Sequence, residues 1–379
     1  MRERVSDYLT QLQEIIVTKL ETYGSGQKFR RESWTRDEGG GGLSCTLDTA
    51  GKHVRPLPFR PCSTRTDHPL EKAGVNISTI SGVLPPAAVK QMSAAHAALK
   101  DIDTSLPFFA AGLSVILHPR HPRIPAVHAN YRYFEVLDAP LPRPRDPATD
   151  NSDDPTILAW WFGVITDLTP AYVDEPDFRH FHNTLKAACD AWISDAAQSH
   201  TAISVYPPFK TSCDDYLFIP HRHEHRGIGG VRFDDMDSDA MRALLLRVAQ
   251  TGNVPVPLSE DTIARLSAPE ALFGLVTYLG DSFLPSFIVI LERRTDESVV
   301  ASERRWQLLR RGRAVEFNLV VDRGTKFGLA APGVKPENVL VGLPPEARWE
   351  YCSDPGAEDQ DTEEAQMVKI LEEPRSWVG

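Results

Sequence analysis

Apolar positions along this chain recur with two different periods, and the changes of period mark its elements. Val5, Leu9, Leu12, Ile16 and Leu20 fall three or four residues apart, which predicts an amphipathic opening helix. Four glycines, Gly39 to Gly42, then read as a hairpin. The run from Gly74 to Gly82 reads as a strand, and Pro85 to Lys100 as a helix with prolines at its start. Gly112 to Pro119 is a strand placing Ser114, Ile116 and His118 on one side. Two more strands follow, His128–Val136 and the apolar WWFGVIT run that ends at Asp167. Asp174 caps a helix through Trp192, with Pro176 in its first turn and His182 at the edge of its apolar stripe. Asp237 caps another helix, to Ala249. Gly252 to Asp281 mixes turn signals with short apolar runs and has no clear assignment. Ser302 to Arg313 is a basic helix leading into AVEFNLVVD, whose apolar and β-branched residues predict a strand. Strands and helices alternate without a βαβ period and no repeat is visible, so the class is α+β.

The strand His128–Val136 changes the picture most. With period two, His128, Asn130 and Arg132 share one face while Tyr131, Tyr133 and Glu135 share the other. An imidazole, an amide and a guanidinium in a row suit a polar cavity that holds an anion, because each would need a partner if buried in an apolar core. Nine of the twelve histidines lie between His118 and His225, which concentrates the chemistry there.

Composition bounds the rest. The chain has 379 residues, 41% of them hydrophobic, enough for a large core. A formal charge of −11 disfavours a nucleic-acid partner. The five cysteines are dispersed with no CxxC spacing, as expected for reduced thiols in a cytoplasmic protein. Apolar stretches such as Ser282 to Leu291 are short and interrupted by Pro285, so no transmembrane segment is expected. The N-terminal segment has neither the apolar core of a secretory signal nor the composition of a transit peptide.

Further candidates lie outside the polar strand. Asp167 ends its strand as a turn former, or faces the cavity to hold N–H groups or act as a base. His221, His223 and His225 alternate, and on a strand would share a face and a metal, with a solvated basic strand as the alternative. Arg226 precedes glycines that suit an anion-binding turn. Gly324, Thr325 and Lys326 offer backbone N–H, hydroxyl and ammonium donors for a carboxylate or phosphate, without Walker spacing. No GxGxxG, GxSxG or HExxH motif is present, which disfavours nucleotide cofactors and serine hydrolysis. Arg132, Arg226 and the Gly324–Lys326 turn together predict a large polyanionic organic ligand.

The segments WTRDEGGGGLSC, EKAGVNIS, HPRHPRIPAVHANYRYFEV, WWFGVITDLTP, HRHEHRGIGG, RRWQLLRRGRAVEFNLVVDRGTKFGL and the terminal PRSWV resemble, in order, the oxygen-dependent coproporphyrinogen III oxidase family. The resemblance implies a large, mostly antiparallel sheet with helices on both faces, in one domain spanning residues 1–379, with loop insertions near 52–70, 140–158 and 251–281. It implies oxidative decarboxylation of two propionates of coproporphyrinogen III to vinyl groups, giving protoporphyrinogen IX. Molecular oxygen is then co-substrate, and no organic cofactor is needed. A homodimer through 305–341 is implied as well. On matched positions, His128 resembles the family's proton donor. Ser114, Asn130, Tyr131, Arg132, Gly324, Thr325 and Lys326 resemble its substrate-binding segments. Asp167 and Arg226 match residues for pyrrole nitrogens and a propionate. His118, His128, His182 and His221 match histidines given as metal ligands in bacterial relatives, which leaves a divalent metal open. Val164, Ile165 and Thr166 replace a glycine run of the family and are expected to narrow the pocket, with Ala129 compensating. A catalytically silent tetrapyrrole-binding homologue is the alternative, and the mitochondrial intermembrane space is the alternative compartment.

Overall fold

Burial alternates along the strands of one large sheet and sorts its side chains into an apolar and a polar face. The structure, a computed structural model, describes residues 1–24, 26–37, 39–49, 68–141, 154–198, 203–251, 258–294, 299–330, 335–351 and 361–378. Helix α1 (Arg2–Leu20) opens the chain, followed by strands β1 (Arg30–Thr35), β2 (Gly40–Asp48) and β3 (Leu70–Leu84). Helix α2 (Pro86–Met92) and a 3₁₀ turn (Ala97–Leu99) lead to β4 (Leu106–Pro119), β5 (Ala126–Leu137) and β6 (Ile157–Thr169). Helices α3 (Glu175–Ala197) and α4 (Tyr206–Leu217) precede a two-residue hairpin, β7 (Phe218–Ile219) and β8 (Glu224–His225). Strand β9 (Gly230–Met236) completes the sheet. Then come α5 (Ser238–Thr251), α6 (Glu260–Leu266), α7 (Pro269–Asp281), α8 (Phe283–Arg293) and α9 (Ala301–Glu316). Short helices α10 (Arg323–Ala330) and α11 (Pro336–Leu340), and finally α12 (Glu363–Glu372), finish the chain.

The seven-stranded sheet runs β1-β2-β3-β4-β5-β6-β9 with every described pair antiparallel. This is the expected α+β architecture. On its apolar face Val75, Val115, Tyr131, Phe162 and Val164 join α1 residues Leu9 and Ile16, α3 residues Phe178 and Phe181, and α7 residues Leu275 and Leu279 in one buried cluster. Burying each such side chain contributes roughly 1.5–3 kcal/mol, so this contact fixes the register of the whole sheet. The polar face is consequently presented to the other side.

Four expectations change. AVEFNLVV is not a strand: α9 runs on into a π-helical turn, Phe317–Val321, closed by the Asp322 N–H donating to the Phe317 carbonyl at 2.8 Å. Only Phe317 of that turn is buried, while Leu319 and Val320 are 43% and 55% exposed. An apolar run this short does not separate helix from strand, and the preceding helix decided it. The segment near 251–281 is not a loop insertion where it is described, because α6 and α7 lie inside the core cluster. The helix expected from Pro85 ends at Met92. Lastly, Pro269–Arg293 is a 25-residue helical run long and apolar enough by length and composition to cross a bilayer. Its apolar residues pack on α3 in the core, which is what a buried helix pair requires. The expected loops at 52–67 and 142–153 lie outside the described residues.

One clasp ties a peripheral segment to the sheet. His96, buried between α2 and the 3₁₀ turn, stacks on Trp161 with centroids 4.1 Å apart. Its Nδ1 meets Asp237 at 3.1 Å and its Nε2 lies 3.5 Å from Asp235. Burial opposes its charge, but the two carboxylates outweigh that and push its pKa up to about 9. A raised folded-state pKa gives stability that is complete below about pH 6.5 and is lost as pH rises through about 9. Thermal unfolding followed from pH 7 to pH 10 should therefore show a falling midpoint whose steepness is reduced in His96→Gln.

Candidate active site

Cross-strand register builds the site. Thr46, Gly74, Ile116, His128, Asp167 and Gly230 stand in one row across six strands. Ser44, Asn76, Ser114, Asn130, Ile165 and Arg232 form the next row, and Gly42, Ser78, Gly112, Arg132 and Gly163 a third. Because strand side chains alternate, these rows share the face opposite the core. The face is therefore floored by small and polar groups, with His128, Asn130 and Arg132 side by side as their alternation predicted.

At its centre, Asp167 is fully buried between an imidazole and a guanidinium. His128 Nδ1 lies 3.1 Å from its Oδ2, and Arg226 donates to its Oδ1. Burial favours the neutral acid, yet Arg226 and His128 hold the Asp167 carboxyl below its usual range, so it is an anion. An anion there fixes a proton on His128 Nδ1 and leaves Nε2, on a side chain 29% exposed, as the ring nitrogen for chemistry. Each Asp167 oxygen thus accepts one contact, which orients His128 beside it. Arg226 lies 4.8 Å over the Phe317 ring with its guanidinium paired to Asp167 through Nη2, while its Nε is buried with no hydrogen-bond partner among the described residues.

Beside this pair, Asn130 Nδ2 donates to Ser114 Oγ at 2.6 Å. Its Oδ1, and the Oδ1 of Asn76 one strand further on, are buried with no hydrogen-bond partner among the described residues. Unpaired buried acceptors are uncommon and expensive, and here two face the same floor. Arg132 reaches across β6 to Asp234 of β9 at 2.8 Å. Glycine at 163 permits the crossing, since a Cβ there would sit 2.5 Å from Arg132 Nε and 2.8 Å from Asp234 Oδ1. Tyr131, the remaining residue of that strand singled out from sequence, points into the core, where its hydroxyl meets Thr166 Oγ1 at 3.0 Å.

Residues 317–330 and 335–343 include the groups that cover this face. Phe317 packs with Ile165, Gly74 leaves room for Val341, and the carbonyls of Gly342 and Leu343 accept from His118 and Lys72. The Gly324–Lys326 turn lies in this cover, but its donors are occupied. Asp322 accepts from the N–H groups of Gly324 and Thr325 and from the Thr325 hydroxyl, and Lys326 donates to the Val320 carbonyl. The carboxylate these donors hold is the chain's own Asp322. Tyr216 donates to Asp322, Arg232 lies 4.3 Å over the Tyr216 ring, and Arg232 and Arg132 both meet Asp234. Tyr216, Arg232, Asp234 and Asp322 were not singled out from the sequence; the only signal was an acidic pair, Asp234–Asp235, two strands from the polar one.

The four histidines matched to metal ligands do not converge. His118 is buried and held neutral by burial and Arg311, its pKa down to about 3, with Nε2 on the Gly342 carbonyl. His182 is buried in α3 against Tyr206, on the core side, and burial lowers its pKa. His221 sits in the exposed β7–β8 turn, 2.8 Å from Glu316. Nor do His221, His223 and His225 share a strand, because the hairpin turns at His223, whose φ is +56°. Among the described residues no group of three or more potential ligands is placed to hold a metal. Of the substitutions expected to narrow the pocket, Val164 and Thr166 face the core, as does Ala129, the direct cross-strand partner of Thr166. Only Ile165 stands on the site face, under Phe317.

Comparison with known proteins identifies the family. The sequence model of the family described as coproporphyrinogen III oxidase matches residues 4–377. The chain is 40% identical to an oxygen-dependent coproporphyrinogen-III oxidase of Drosophila melanogaster over 379 residues, covering all of this chain and 78% of that protein. Against the human mitochondrial protein of the same name it is 38% identical, covering all of this chain and 69% of the relative. A Prochlorococcus marinus protein, also so named, is 35% identical, covering 99% and 90%. The chain belongs to the coproporphyrinogen III oxidase family.

Proposed function

We propose that this chain is an oxygen-dependent coproporphyrinogen III oxidase working on the polar face of its sheet. In each of two rounds a propionate is converted to a vinyl group. The carboxylate leaves as carbon dioxide, two electrons and the remaining hydrogen pass to dioxygen, and one proton from solvent completes hydrogen peroxide. The electron-rich porphyrinogen is itself the reductant, so the chain has to supply binding, orientation and proton transfer. Dioxygen is the co-substrate, and no step is routed through a metal, since the histidines are not arranged to hold one.

The observation that carries the reading is the row of buried, unpartnered amide oxygens on Asn76 and Asn130 beside the His128–Asp167 pair. A porphyrinogen presents inward N–H groups that need acceptors, and Asn130 Oδ1 lies next to the proton-transfer group. In this assignment Asn130 and Ser114 receive the ring, and His128 moves the proton at the reacting side chain. Asp167, held by Arg226, stabilises the charged imidazole. Arg132, the partly exposed cation of the floor, takes a propionate. The Gly324–Lys326 turn binds substrate only if Asp322 gives way. Nothing favours a silent homologue.

A homodimer formed through residues 305–341 is part of the same proposal, supported by exposed Leu319, Val320 and Leu329 in that stretch. So is a cytoplasmic location, with the mitochondrial intermembrane space as the alternative. The human relative is named mitochondrial and an Arabidopsis thaliana relative chloroplastic.

Purified protein given coproporphyrinogen III under air should yield protoporphyrinogen IX and peroxide; absence of product at every pH from 6 to 9 would defeat the assignment. His128→Ala should lower kcat about 10²- to 10⁴-fold with little change in KM. Arg132→Ala should instead raise KM, and Gly163→Ala should copy it by displacing the Arg132–Asp234 pair, so normal KM in both would remove Arg132 from the binding site. Light scattering should give twice the 42.2 kDa chain mass, falling toward one chain in Val320→Glu.

A further inference from the structure

One step along the sheet from the proton-transfer pair lies a small cavity of about 40 Å³. Ala126 and Thr169 line it, and they are cross-strand partners two residues from His128 and Asp167. Period-two alternation puts all four on the same face, about 7 Å apart along the strands. Pro119, Ile124, Ala171 and Ala314 of α9 supply further walls. Arg310 and Arg311 border it as well, Arg310 donating through Nη1 to both Glu224 oxygens at 2.9 Å and Arg311 meeting Glu71 at 2.7 Å and the Pro119 carbonyl at 3.0 Å. Pro122, His118 and Gln307 complete the lining, and the surface exposed to the cavity is predominantly apolar.

A cavity of this size admits no organic ring, while an apolar lining favours a small uncharged gas over an ion. We propose that it holds dioxygen beside His128, ready to accept electrons from a porphyrinogen on the adjoining floor. The proposal rests on the oxidase reading and adds where the second substrate waits. Peroxide, with two O–H donors, is poorly matched to these walls and would leave once formed. The rival occupant is water, because Arg310 Nε and Nη2 and His118 Nδ1 are buried without a partner.

Two measurements decide it. Crystals of the unaltered protein pressurised with xenon should show the gas between Ala126 and Ala314, and ordered water alone at that position would overturn the proposal. In steady-state assays at saturating coproporphyrinogen III, Ala314→Leu should raise KM for oxygen about tenfold. KM for the porphyrinogen should not change. Ala126→Val fills the space from the sheet side and should act alike, which covers the case that the first variant does not fold. Oxygen dependence unchanged in folded, active variants would sink the cavity's role while leaving the oxidase assignment standing. A wild-type protein with no turnover would sink the oxidase assignment instead.

Discussion

The arrangement depends on one buried anion. Asp167 has no solvent exposure, and an isolated carboxylate there would take up a proton rather than bear the desolvation cost. It stays ionised because Arg226 and His128 meet its two oxygens. Arg226 comes from the strand-like segment after the β7–β8 hairpin, His128 from β5, and Asp167 from β6. Three separate parts of the chain are therefore committed to one point, and removing either partner would strand a charge. The same contacts orient the imidazole toward the floor that Ser114, Asn130 and Arg132 share.

That floor exists because the opposite face is so strongly apolar. A one-residue slip in β5 would drive Tyr131 and Tyr133 out of the core and His128, Asn130 and Arg132 into it, so packing against α1, α3 and α7 enforces the register that aligns the site. Glycine at 163 and 74 then supplies space on the polar side, for the Arg132–Asp234 crossing and for Val341 of the cover. Function here is a by-product of a sheet with two unlike faces, closed on one side by a hydrophobic core and on the other by residues of 317–330 and 335–343.

Much of this was legible in the sequence. Alternation alone put His128, Asn130 and Arg132 together and Tyr131 and Tyr133 apart from them, and the Asp174 cap and the α1 stripe were equally plain. What escaped was long-range pairing. Nothing local says that Asp234 will sit opposite Arg132, or that Asp322 will fill the very cradle its neighbours form, since both depend on tertiary neighbours. Arg226 looked like a free anion anchor because its partner is 59 residues away. The π turn after α9 was read as a strand because Val and Leu serve both elements, and exposure, which distinguishes them here, is invisible in a sequence.

The central claim is that the Asp167 anion fixes the protonation geometry of His128. It is tested most directly by ¹⁵N NMR of histidine-labelled protein, with the His128 signal assigned by its loss in His128→Gln. The account predicts that neutral His128 carries its proton on Nδ1 and that Asp167→Asn abolishes this preference. A His128 ring whose tautomer is the same with and without the carboxylate would contradict it.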